Sequence, residues 1–404
     1  MRFSYGRLFV LGLGFFSISL TWALYNAFVP VFLDDVLTDS LFKGTLIGAI
    51  MTFDNIAAIT LQPFFGARSD RTWNRFGRRM PYLLVGVPLS ALLFAVVPFL
   101  RHSVAPLITG LVAMNIAMAV WRAPAVAMMP DLTPSPLRSK GNGIINFMGG
   151  FGALLAFFVG SRLFGIDPSL PFVAAGGLML VIIVLLRLAI REQPILEQGT
   201  ERPVGIVAAF HEVWSSPERS PWRLLLAIFF WFVGWNGVEA FFTLYARDVW
   251  GMSPDAAALR LGFFSLTFLV FAIPSGFIAT RLGRRRTIQT GVAGLGIALL
   301  LMGLFGNTAL LLPLLLLGGL FWALININSY PMVVDMVTAE RTGAYTGLYY
   351  FFSSLAAISA PPVFGFLMDR LGRGVMFWAA FTAFAAAFLL MSTVRRGEAR
   401  ESQA

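Results

Sequence analysis

Twelve long apolar runs leave this chain few ways to fold. They fall at roughly 8–33, 43–67, 81–100, 105–130, 141–164, 170–190, 222–245, 256–280, 286–306, 309–336, 343–367 and 374–394. A hydrocarbon layer about 30 Å thick is crossed by roughly 20 helical residues. In lipid a backbone must satisfy its own hydrogen bonds, and a helix does so. The runs consume most of the 404 residues, so no separate soluble catalytic domain is expected. The composition, 58% hydrophobic and 12% charged, is not that of a soluble domain. The expected fold class is therefore all-α integral membrane, with twelve transmembrane helices in two six-helix bundles. The longest polar interval divides the runs six and six. It sets an N-terminal bundle at 1–190, a cytoplasmic central loop at 191–221 and a C-terminal bundle at 222–404. Within the loop, Val204–Trp214 reads either as an amphipathic helix on the inner surface or as an ordered linker. The first run lacks a convincing cleavage site and reads as a retained helix, not a signal peptide.

The formal net charge of +10 does not call for nucleic acid, because its placement explains it. Counted from a cytoplasmic N-terminus, about 22 of the 30 Lys and Arg lie on the inner side and about seven on the outer. One, Arg122, lies within a run and away from its ends, and is counted on neither side. This bias places both termini in the cytoplasm. Arg outnumbers Lys about fourteen to one, which reads as a GC-rich bacterial source, and the expected location is then the bacterial inner (plasma) membrane. There is no cysteine, and His102 and His211 both fall outside the runs. No disulfide, thiol nucleophile, metal site, cofactor or catalytic residue is expected.

One loop pattern occurs twice. After the second run comes Pro63-x-x-Gly66, then Asp70-Arg71, then Gly77-Arg78-Arg79. After the eighth comes Pro274-x-Gly276, then Thr280-Arg281, then Gly283-Arg284-Arg285. Likewise Met129-Pro130-Asp131-Leu132 leads to Gly141, and Val333-Val334-Asp335-Met336 leads to Gly343. Paired motifs at corresponding places argue for an internal duplication, as in transporters whose site lies near the bilayer midplane between the halves.

The first of these loops resembles the signature of the major facilitator superfamily. Where that signature has its Asp-Arg and Gly-Arg pairs nearly adjacent, Thr72 to Phe76 intervene here. The longer form, with Ser69 before Asp70 and Pro81 after the arginines, resembles the sugar-transporting branch. That branch includes sucrose/proton symporters and glycoside–cation symporters. The resemblance implies secondary transport of a sugar coupled to a proton (or sodium) by a monomer in a lipid bilayer. It also implies that Gly66, Asp70, Arg71, Gly77, Arg78 and Arg79 form a conformational switch of charges in water-facing loops. Asp131, Arg138, Asp335 and Arg341 are its counterparts in other loops. Two positions depart from the branch. Asn115 stands near the point where sucrose symporters carry a proton-binding Asp, and the fifth run offers Asn142 and Asn146 but no Arg before Arg162 at its far end. Arg122 stands where the glycoside symporters place a sugar-binding carboxylate, ahead of Pro124.

A charge at mid-bilayer costs about 2.5–3.5 kcal/mol on insertion scales, so each one needs a reason. Asp54 lies about 16 Å into the second run at 1.5 Å per residue, near the midplane. It is the candidate proton-coupling residue, with Arg122 as its partner. A fixed Asp54–Arg122 ion pair and a sodium site are the alternatives. Arg122 follows Asn115 by two helical turns, so both face one way and both are candidate ligand contacts. Trp235, Asn236 and Glu239 share a helix face. An indole beside an amide and a carboxylate suits a pyranose ring; an aromatic at the membrane interface is the other reading. Asn326, Asn328 and Tyr330 form a second polar group, either lining a site or bonding between helices. Asn142, Asn146, Gln62 and Asn26 are weaker candidates of the same kind. Gly149, Gly152 and Ala156 read as a close-packing seam. A drug or metabolite antiporter of the same fold is the rival function. A membrane enzyme would need a nucleophile–base pair or metal cluster, and the runs hold no His or Cys.

Overall fold

The computed structural model describes residues 5–38, 40–133, 137–192, 210, 211, 213, 215, 218–306, 308–337 and 341–397. Each apolar run has become one long helix. They are α1 (Gly6–Val36), α2 (Lys43–Arg71), α3 (Met80–Leu100), α4 (Val104–Leu132), α5 (Gly141–Ile166) and α6 (Leu170–Ala189). Then follow α7 (Ser220–Trp250), α8 (Pro254–Leu282), α9 (Arg284–Phe305), α10 (Leu311–Val334), α11 (Thr342–Leu371) and α12 (Val375–Ser392). All twelve are long and apolar enough to cross a membrane. No strand occurs among the described residues. The expected helix at Val204–Trp214 lies mostly outside the described residues.

One boundary differs from the sequence reading. The motif from Gly66 to Arg71 is the last part of α2, not a loop. Nothing between Pro63 and Arg71 breaks a helix, and Arg68 and Arg71 suit the negative end of its dipole.

Two helices are interrupted. At Thr52 α2 breaks and restarts at Phe53. In α5, residues Ala156–Gly160 form a wide π turn. Such turns cluster at functional sites or mark an inserted residue.

The chain divides into two compact units: residues 1–43, 49–199 and 252–262 in the first, and 44–48, 200–251 and 263–404 in the second. In the first, α1 packs on α5 and α6, α3 on α4 and α6, and α2 on α4. In the second, α7 packs on α11 and α12, and α9 on α10 and α12. This is the same wiring moved on by six helices, as a duplication requires. Small residues permit it. A Cβ on Gly152 would meet the Phe16 carbonyl oxygen at 2.2 Å, and one on Gly319 would meet that of Phe264 at 2.2 Å. Lipid offers no hydrophobic drive between helices, so close backbone approach must supply packing energy. Farther along the same pair, Phe164 of α5 stacks on Phe28 of α1 at 3.9 Å.

Candidate functional site

The break in α2 builds the first polar cluster. Thr52 turns its hydroxyl back to the Ala49 carbonyl at 2.7 Å. The helix that restarts at Phe53 therefore has Asp54 in its first turn. There the Asp54 carboxylate accepts the Asn55 backbone N–H at 2.6 Å and the Asn55 side-chain amide at 2.8 Å. A carboxylate at the positive end of a half-helix is the arrangement that broken helices in transporters provide. Arg122 of α4 interacts electrostatically with Asp54. Its guanidinium also lies over the Trp22 ring of α1, 5.6 Å from the centroid. Asp54 acts on Tyr25 as well, and Asn115 faces the Tyr25 hydroxyl. Tyr25 is fully buried and Asn115 is 3% exposed. The structure thus joins Asp54, Arg122 and Asn115, which the sequence singled out, to Trp22 and Tyr25, which it did not. The remaining candidates in this unit lie apart in character. Gln62 and Asn26 are half-buried. Asn142 and Asn146 are exposed, and the Asn146 amide donates along its own helix to the Asn142 carbonyl at 2.8 Å.

The second unit holds an aromatic and amide group. Trp235 stacks on Phe264 at 4.3 Å and on Trp322 at 5.1 Å, both nearly parallel. Its ring belongs to a built stack of three helices rather than to an isolated platform. Asn236 donates to the Phe232 carbonyl at 2.7 Å, and Glu239 is half-buried. Asn328 is buried and bonds to the Leu324 carbonyl at 3.0 Å and the Ser275 carbonyl of α8 at 3.5 Å. The Tyr330 hydroxyl meets Thr346 of α11 at 3.1 Å. Asn326 is half-buried. Asn328 and Tyr330 thus each make a bond between helices.

The motif charges form a third cluster, and their setting differs from expectation. Arg79 does not face water: its side chain is 5% exposed. It pairs with Asp70, with Asp131 at 3.1 Å and with the Ser69 hydroxyl. Arg78 joins Asp131 at 2.8 Å. A guanidinium has five donors in a planar fork, enough to hold several acceptors at once. Glu192, just beyond α6, accepts the backbone N–H groups of Arg78, Arg79 and Met80 at 2.7–3.0 Å. It caps the start of α3, where free N–H groups favour a carboxylate. Gly77 makes room for it: φ is +114°, and a Cβ there would meet Glu192 at 2.8 Å. At Gly66 a Cβ would touch only Ala123, at an ordinary 3.6 Å. In the second unit Arg284 pairs with Asp335. Arg71 and Arg341 are exposed, and the Arg138 side chain lies outside the described residues. Glu192 escaped the sequence reading; an acid among basic residues after α6 was its one signal.

Residues 11–361 and 246–404 match the sequence profile of the Major Facilitator Superfamily. The chain belongs to the major facilitator superfamily. It is 26% identical over 322 residues to the class G tetracycline resistance protein of Vibrio anguillarum, covering 78% of each chain. It is 24% identical over 312 residues to the isoprimeverose transporter of Lactiplantibacillus pentosus, covering 72% of this chain and 61% of that one. A crystal structure of a D-xylose–proton symporter superposes with a TM-score of 0.73 at 18% identity, covering 98% of this chain and 99% of that one. The fold class read from the sequence is thus the superfamily's fold. The protein is a multi-pass membrane transporter.

This superfamily member carries the signature with extra residues, and the structure shows how they fit. Asn74 and Gly77 exchange backbone hydrogen bonds of 3.3 and 3.0 Å, and the Asn74 side chain accepts the Phe76 N–H at 2.9 Å. The insertion closes on itself, and Gly77 and the arginines return to the end of α2. Arg75 and Arg187 cover the Phe76 ring at 4.7 and 5.2 Å.

Proposed function

We propose that this transporter takes up a sugar, a disaccharide or glycoside, together with a proton by alternating access. Asp54 carries the reading: a carboxylate inside a membrane-crossing helix, at a helix break, coupled to Arg122. Such a group is poised to gain and lose a proton as its surroundings change. Asn115 and Arg122 of the first unit offer donors and acceptors suited to a polyol, and Asn236, Glu239 and Asn326 of the second unit offer a set of their own. The likeness to an isoprimeverose transporter supports a glycoside ligand. We place the protein in a bacterial inner membrane with both termini cytoplasmic. It works as a monomer with bundles at 1–190 and 222–404, as a transporter and not an enzyme. Sodium is the alternative coupling ion. A second function, export of a drug in exchange for protons, has its own support in the likeness to tetracycline resistance proteins.

Proteoliposomes with an imposed inward proton gradient separate the two. Accumulation of one sugar from a panel of disaccharides and pentosides, abolished by a protonophore, is the expected result. Failure with every sugar, joined to proton-driven movement of tetracycline, would replace the first reading with the second.

Trp235→Ala is expected to weaken the apparent affinity for that sugar about tenfold, the worth of one aromatic contact of roughly 1–1.5 kcal/mol. Trp235→Phe, which keeps the stack with Phe264 and Trp322, should recover most of it. Unaltered affinity in the Ala variant would make Trp235 a packing residue only.

A further inference from the structure

The geometry points to a hydroxyl-binding subsite within the first unit, formed by Trp22 and Tyr25 of α1 and Asn115 of α4. Four polar atoms of these side chains are shielded from solvent and have no hydrogen-bond partner: Trp22 Nε1, Tyr25 OH, and both Oδ1 and Nδ2 of Asn115. They lie together. The indole and phenol rings meet edge to face at 5.3 Å, and the Asn115 amide interacts with the Tyr25 hydroxyl but outside hydrogen-bond geometry. Burial of a polar group without a partner is costly, so a cluster of this kind implies a guest. Elsewhere among the described residues such atoms occur one to a side chain, as at Thr133 and Trp231. Buried polar groups of the same unit such as Trp121 and Ser17 are satisfied. Trp121 Nε1 donates to Ser90 at 3.1 Å, and Ser17 donates to the Gly14 carbonyl at 2.8 Å.

The donor set defines the guest. An indole N–H, an amide NH2, a phenol O–H and one amide oxygen, with no carboxylate, do not hold a cation. They fit an oxygen that accepts two hydrogen bonds and donates one or two. That is a water molecule or an alcohol hydroxyl. The site adjoins the coupling carboxylate, since Asp54 acts on Tyr25. A ligand hydroxyl lodged there would be felt by the residue that carries the proton. Only this last step rests on the sugar–proton reading.

X-ray radiolytic footprinting of the purified, detergent-solubilised protein without ligand tests the subsite directly. Hydroxyl radicals formed from a bound water label the side chains that touch it, however deeply buried. Tyr25 is expected to be modified several-fold faster than Trp121, which is equally buried but satisfied within the protein. The melting temperatures of Tyr25→Phe, Asn115→Leu and the double variant give the second measurement. A shared guest predicts that each single change lowers it by about 2–4 °C and that the double change costs little more than one. An unlabelled Tyr25, with single variants as stable as the parent or more so, would overturn the subsite. Addition of isoprimeverose or sucrose then distinguishes the sources. Protection of Tyr25 by the sugar assigns the position to a ligand hydroxyl, and unchanged labelling assigns it to resident water.

Discussion

Asp54→Asn protein is expected to bind its sugar and exchange it across a vesicle membrane, yet never to accumulate it. The substitution keeps the shape of the side chain, and its remaining oxygen can still accept the Asn55 N–H at the start of the half-helix. What it removes is the ability to take up and release a proton. One charge moved through 100 mV is worth about 2.3 kcal/mol, which supports an accumulation of roughly fiftyfold at about 1.4 kcal/mol per decade. That ratio should fall to about one, while counterflow with sugar on both sides persists. Arg122 keeps its place over Trp22, so loss of the whole fold is not expected. Undiminished uphill uptake would remove Asp54 from the coupling mechanism and leave the Asp54–Arg122 pair a structural tie.

The second large effect is expected at Gly77→Ala. Two costs add there. An L side chain at φ +114° strains the backbone by roughly 1–2 kcal/mol. The new methyl also lies 2.8 Å from the Cβ, Cδ and Oε1 of Glu192. Since the Cβ is among them, no rotamer change of Glu192 avoids the clash. Its carboxylate must leave the start of α3 and free three N–H groups, a capping loss of about 0.5–2 kcal/mol. Together these predict roughly 2–4 kcal/mol of destabilisation, seen as a lower melting temperature and a severe loss of transport. Glu192→Ala should reproduce the capping part alone. Gly276→Ala, at the second-half counterpart of Gly66, meets nothing within 4 Å and should be neutral. Equal stability of the Gly77 and Gly276 variants would refute the account of the Glu192 cap.

The twelve helices and their duplication were legible because lipid imposes a length and an apolar composition on every span. The extent of α2 was less so. Asp70 and Arg71 read as loop residues by their charge, yet pairing with Arg79 lets Asp70 remain at a helix end. Burial of Arg79 could not be read either, since three of its acceptors, Ser69, Asp70 and Asp131, come from two different helices. Glu192 caps residues 112–114 positions earlier in the chain, a distance over which periodicity carries no information. The candidate pair Asp54 and Arg122 was visible because charge in a span is rare. Tyr25 was invisible, because a tyrosine in an apolar helix is unremarkable until its hydroxyl is found without a partner. The break at Thr52 had no Gly or Pro beside it to announce it.

The wide turn of α5 has a consequence for the length of the chain. Gly152 and Phe164 both meet α1, at Phe16 and Phe28. Twelve residues of regular helix, at about 100° each, would set them roughly 120° apart around the axis. Eleven would set them within about 20° of one face. The π turn at Ala156–Gly160 absorbs the surplus residue, so α5 spends twelve residues on an eleven-residue task. This stretch is thus a place where the chain can shed one residue and keep both contacts, whereas gaining another would swing Phe164 away from α1.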